Sequence, residues 1–154
     1  MPLSSTLAER VETLQHIIGY TFTNQALLFE SLHSAGFYVP ARSTRDGGHK
    51  DLAQVGDAVL RMVLILHGYQ ARKTRSTINN TISANASNAN LAATGFDKTL
   101  DHFVMINPAQ GRTVSNGVMA STVEALIGAV YIDSNMDIET VRSVIDTLDL
   151  GWPA

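Results

Sequence analysis

Apolar residues recur along this chain at intervals of three and four. Leu7, Val11, Leu14 and Ile18 form one such row, behind Ser4, Ser5 and Thr6, any of which suits the cap of a helix. Gly19 predicts the stop, because glycine takes the left-handed conformation that ends helices without a steric penalty. A second row begins after Thr23 or Asn24 and runs through Ala26, Leu27, Leu28 and Leu32. Breakers then dominate residues 36–48, where Gly36, Pro40, Ser43, Thr44, Asp46, Gly47 and Gly48 predict a loop. The most apolar helix follows. Leu52, Val55, Val59, Leu60, Val63, Leu64 and Leu66 cover much of its circumference, which predicts a central position. Ile78 to Ala93 is polar and has helical spacing only at Ile78, Ile82 and Leu91; it predicts one further helix. After a loop over 107–117, Val118, Met119, Val123, Ala125, Leu126, Ile127, Val130 and Ile132 predict a second strongly apolar helix. A turn at 133–137 leads to the last helix, Ile138 to Leu148, with Val141, Val144, Ile145 and Leu148 on one face. No stretch alternates as a strand does, so the expected class is all-α.

Composition narrows the picture. A length of 154 residues suits one domain, and 45% hydrophobic against 16% charged residues is a globular balance. The apolar runs are too short to span a membrane. Eleven Lys and Arg against fourteen Asp and Glu give a net charge of -3, so bulk charge does not drive the chain onto nucleic acid, although a local basic strip could. Cysteine is absent, which removes disulfides, thiolate metal sites and cysteine nucleophiles. Met1 to Gln15 carries Glu9, Arg10 and Glu12 and lacks both a secretory apolar core and the Arg-rich character of a transit peptide, which sets the expectation of an intracellular protein.

Three stretches carry a resemblance. Ile18-Gly19-Tyr20-Thr21-Phe22, with the leucine-rich segment Asn24 to Leu32, resembles the amino-terminal Gly-Tyr-x-Phe segment of the ribonuclease III family. Leu52-Ala53-Gln54-Val55-Gly56-Asp57-Ala58-Val59-Leu60 resembles that family's signature helix, usually Leu-Glu-Phe-Leu-Gly-Asp-Ala/Ser-Val-Leu. Ser121 to Asp133 is similar to its Asp-x-x-Glu-Ala-Leu-x-Gly-Ala-x-Tyr-x-Asp helix. The order matches over residues 7–148. The resemblance implies an all-α domain that cleaves double-stranded RNA, acts as a homodimer and uses magnesium, with manganese as the alternative ion. With no double-stranded-RNA-binding domain after it, the sequence resembles the small stand-alone members, including fungal-type ones.

The chemistry behind that resemblance needs converging oxygen ligands. Two magnesium ions activate water and neutralise phosphate charge, and carboxylates four or three residues apart on packed helices can gather around them. Asp57 and Glu124 match the family's catalytic and metal-binding acids. Position 53, normally Glu, is Ala53, and position 121, normally Asp, is Ser121; a third acid that often precedes the signature helix aligns with Lys50. Two divalent ions ~4 Å apart at an effective dielectric of ~20 repel by roughly 17 kcal/mol. Two carboxylates offset far less of this than four, which leaves room for one ion held by Asp57, Glu124, water and an RNA phosphate. The alternatives are a catalytically inactive fold that binds structured RNA or sits in a ribonucleoprotein, and the partner subunit of a heterodimer.

Other features stand beside that site. Gly56 and Gly128 predict a close helix crossing. Arg72, Lys73 and Arg75 suit either RNA phosphates or a solvated helix end, and Arg112 is a further RNA candidate. Gln54 replaces an aromatic that plugs the partner subunit in the family. Phe37 and Tyr38 are the aromatics nearest to it in the preceding loop. The five histidines show no ligand spacing, and Asn90 is expected to be structural.

Overall fold

The computed structural model describes residues 6–35, 47–106, 111 and 113–153. Seven α-helices occur among them: α1 (Leu7–Ile18), α2 (Gln25–Leu32), α3 (Lys50–Gln70), α4 (Arg75–Asn85), α5 (Asn88–Asp97), α6 (Asn116–Asp133) and α7 (Ile138–Thr147). A single 3₁₀ turn spans Leu100–His102, and the only β pairing among the described residues is one parallel bridge between His33 and Met105. No described helix is long and apolar enough to cross a membrane.

Local chemistry sets the helix ends. Thr6 is the residue that caps α1, its hydroxyl accepting from the Glu9 amide at 3.1 Å, and Gly19 closes that helix at φ 75°. Asn24 caps α2, Thr74 caps α4, Ser115 caps α6 and Asp137 caps α7, each accepting an amide within the first turn. The polar stretch expected to form one helix over 78–93 is two. Ala86 ends α4, and the Ser87 hydroxyl accepts from the Asn90 amide at 3.2 Å to start α5, so a serine that looks like an interior helix residue acts as a cap. In the same way Ser115 draws Asn116 and Gly117 into α6 rather than leaving them in a loop.

The centre of the molecule is α6, not α3. Met119, Ala120, Thr122, Val123 and every residue from Ala125 to Val130 are buried on it, and α2, α3, α5 and α7 pack around it. This follows from its make-up of small and aliphatic side chains on all sides, whereas α3 keeps Asp51, Gln54, Ala58, Arg61, Met62, Ile65 and Tyr69 on an exposed outer face. The crossing of α3 and α6 is unusually close. A Cβ added to Gly56 would lie 1.6 Å from the Glu124 carbonyl oxygen, and one added to Gly128 would lie 2.3 Å from that of Leu52. The two backbones therefore meet where only glycine fits, as the paired glycines predicted.

The ends of the chain are tied to this core. Asp133, the last residue of α6, accepts from the Tyr20 hydroxyl at 2.6 Å and from the Thr23 and Asn24 amides at 2.8 Å. Burial alone would raise its pKa, but these donors hold the carboxyl below its usual 3.8. Beyond Leu148, Trp152 donates from Nε1 to the Leu64 carbonyl at 2.9 Å and stacks on His67. Asn85 donates to the Leu150 and Gly151 carbonyls, and Asn90 in turn donates to the Asn85 carbonyl, the structural role expected of it.

Candidate functional site

The close crossing of α3 and α6 positions the candidate acids. Gly56 precedes Asp57 on α3, and the backbone it approaches belongs to Glu124 on α6. The contact that requires glycine thus brings the two carboxyl groups together. They lie within hydrogen-bonding reach, and Glu124 is pushed from the usual 4.5 to about 7, first by burial and then by the Asp57 carboxylate beside it.

A third group completes the constellation. Arg61, one turn beyond Asp57, donates from Nε to Asp57 Oδ1 at 3.0 Å, and its positive charge also favours ionised Glu124. Both side chains of the ion pair are open to water, at 38% exposure for Asp57 and 49% for Arg61. Ala53 lies one turn before Asp57 and is buried, and Ser121 lies one turn before Glu124 and is half-buried. The sequence reading missed Arg61. Its spacing of four from Asp57 was the available signal, but the same spacing marks ordinary pairs on helix surfaces.

Comparison with known proteins now bears on this geometry. The Ribonuclease III domain profile matches residues 50–135, more than half of the chain, and both α3 and α6 fall inside the match. The chain belongs to the ribonuclease III domain family. Ribonuclease 3 of Rickettsia akari is 32% identical over 143 residues, covering 89% of this chain and 62% of that protein. Ribonuclease 3 of Idiomarina loihiensis is 33% identical over 146 residues, covering 90% of this chain and 57% of that protein. The chain thus spans about three fifths of the length of these relatives. They are bacterial, so they lend nothing to a fungal-type subtype. Among solved structures, a nuclease domain of ribonuclease III from Campylobacter jejuni superposes with a TM-score of 0.77 at 20% identity, covering 90% of this chain and 94% of that one, which confirms the all-α fold.

Ribonuclease III domains generally use a divalent metal ion. The residues of this one do not fit a two-metal centre. No group of three or more His, Asp or Glu converges as a metal site among the described residues. A methyl group stands at Ala53 and a hydroxyl at Ser121. The two remaining acids sit beside each other, and Asp57 is already paired with Arg61.

The remaining candidates fall elsewhere. Arg72, Lys73 and Arg75 are all exposed at the turn from α3 to α4. The helix rise puts that turn about 20 Å from Asp57 along α3. The three cations therefore form a second locus. Arg112, Phe37, Tyr38 and Asp46 lie outside the described residues. His49 is a group that spacing alone did not reveal. It sits at the start of α3, 1% exposed, its amide bonded to the His33 carbonyl, and neither ring nitrogen has a hydrogen-bond partner among the described residues. Burial lowers it to about 4; Lys50 and His33 push the same way, and the nearby Val118 backbone opposes them. It is a buried neutral ring and not a surface histidine.

Proposed function

We propose that this chain is a ribonuclease III domain that engages double-stranded RNA without two-metal hydrolysis. The observation that carries the reading is the state of the site: Asp57 and Glu124 converge, Ala53 and Ser121 stand where two more acids would be needed, and Arg61 neutralises Asp57. The double-stranded RNA partner rests on family membership. Arg72, Lys73 and Arg75 are the groups we assign to its phosphates, and they suit that task by their exposure and sign.

The same proposal includes a dimer. One of the related Campylobacter jejuni structures concerns a region involved in dimer formation of its nuclease domain. Here the outer face of α3 carries Val55, Ala58, Met62, Ile65 and Tyr69 at alternating intervals of three and four. Met62, Ile65 and Tyr69 are 37%, 45% and 77% exposed, a seam of apolar side chains beside the Asp57–Arg61 pair. We assign this seam to a second copy of the chain, in place of the aromatic that Gln54 has replaced.

The test is a long perfect RNA duplex incubated with purified protein and magnesium, beside the Glu124→Ala protein, with binding and cleavage both measured. Binding without cleavage by either protein is the expected result. Cleavage by the unaltered protein that Glu124→Ala abolishes would overturn it, and would establish that the two carboxylates work with magnesium or manganese after all.

A further inference from the structure

The ion pair at the site has a consequence for how RNA would be held. Arg61 uses one of its guanidinium nitrogens on Asp57, and half of its side chain faces water. A guanidinium carries five N–H donors in a planar fork. The Nε contact leaves both terminal amino groups for an anion. An exposed pair at a spacing of four holds its partners only weakly, so exchanging or sharing the carboxylate with a phosphate oxygen is energetically easy. The group also sits one turn from Asp57, close to the two converging acids.

We propose that Arg61 is the resident cation of this site and contacts a phosphodiester oxyanion of duplex RNA, taking over the charge-neutralising role that a divalent ion fills elsewhere in the family. The proposal rests on the reading that the partner is double-stranded RNA. Binding is then independent of divalent metal. Asp57 competes with the phosphate for the guanidinium and weakly repels that phosphate.

Binding of a fluorescent RNA duplex measured by anisotropy over a range of salt concentrations, in EDTA and in magnesium, tests this. The unaltered protein is expected to bind equally in both. Arg61→Gln should weaken binding about tenfold, the equivalent of one lost phosphate contact, and lower the slope of log affinity against log salt by about one. Asp57→Asn removes the opposing negative charge and should tighten binding in EDTA. Circular dichroism melts of both variants exclude misfolding as the cause. Binding that vanishes in EDTA, an unchanged salt slope in Arg61→Gln, or weaker binding by Asp57→Asn would overturn the proposal. Failure of the unaltered protein to bind any duplex, in either buffer, would instead overturn the reading on which it rests.

Discussion

At the scale of single residues, two titratable groups, half-buried Glu124 and buried His49, pull stability in opposite directions. Glu124 sits near 7 in the folded chain against 4.5 when exposed. Its folded form therefore favours the proton, and the associated stability is complete below 4.5 and lost as pH rises through about 7. His49 behaves in the opposite sense. Its folded value of about 4 lies below the usual 6.5, so stability is complete above 6.5 and lost as pH falls toward 4. Between pH 4.5 and 6.5 the two trends offset each other. Glu124→Gln should thus stabilise the protein at pH 8, by about 1–2 kcal/mol once solvent screening is allowed for, and do little at pH 4. His49→Leu should remove the loss of stability on the acid side. Thermal melts across this pH range check both, and a Glu124→Gln protein no more stable than its parent at pH 8 would refute the first.

The elements tell how much was legible beforehand. The helices α1 and α2 were readable because each shows a cap candidate or a stop together with an apolar row, α6 and α7 from their apolar rows alone, and the Gly56–Gly128 crossing because two glycines inside apolar helices need a reason. The rank of the two central helices was not. The wide apolar circumference of α3 suggested a central place, but its exposed row of Met62, Ile65 and Tyr69 serves a surface, while α6 is apolar through small side chains on every side. The break at Ala86 and Ser87 escaped because serine reads alike as cap and interior residue until its hydroxyl is placed. At the site, the paired acids were visible from the resemblance to the family's two helices, whereas Arg61 was hidden among charge pairs that usually mean nothing. The crossing itself is testable. Gly56→Ala must force α3 from α6, with an expected loss of about 3 kcal/mol or more. Gly117→Ala, a helical site with no atom within 4 Å of the added methyl, should leave stability unchanged or raise it by about 1 kcal/mol. Chemical denaturation of the two proteins side by side measures the contrast. Similar stabilities would contradict the close approach.

For the whole molecule, charge and seam act together. A net charge of -3 repels an RNA duplex at long range, so attraction needs local cations, and we assign it to those at the turn from α3 to α4 and to Arg61. Replacing Arg72, Lys73 and Arg75 with Gln should weaken duplex binding and lower its salt slope by about two to three, measured by anisotropy. An unchanged slope would remove these residues from the interface. The seam predicts a dimer in solution by light scattering, and Met62→Glu with Ile65→Glu should yield a monomer whose helix content is intact. A monomeric parent protein would sink the assignment of this face.

The clamp at Asp133 separates two kinds of boundary. Recognition by kinship begins at residue 50 and ends at residue 135, yet the carboxylate near its far end is held by Tyr20, Thr23 and Asn24, which all lie before it begins. Leu28 and Leu32 of α2 are likewise buried in the core that α6 organises. The stretch that identifies the domain is therefore not the stretch that can fold. Cut at residue 50, the chain would keep its pedigree and lose its lid, leaving an acid without its three donors and an aliphatic face open to water.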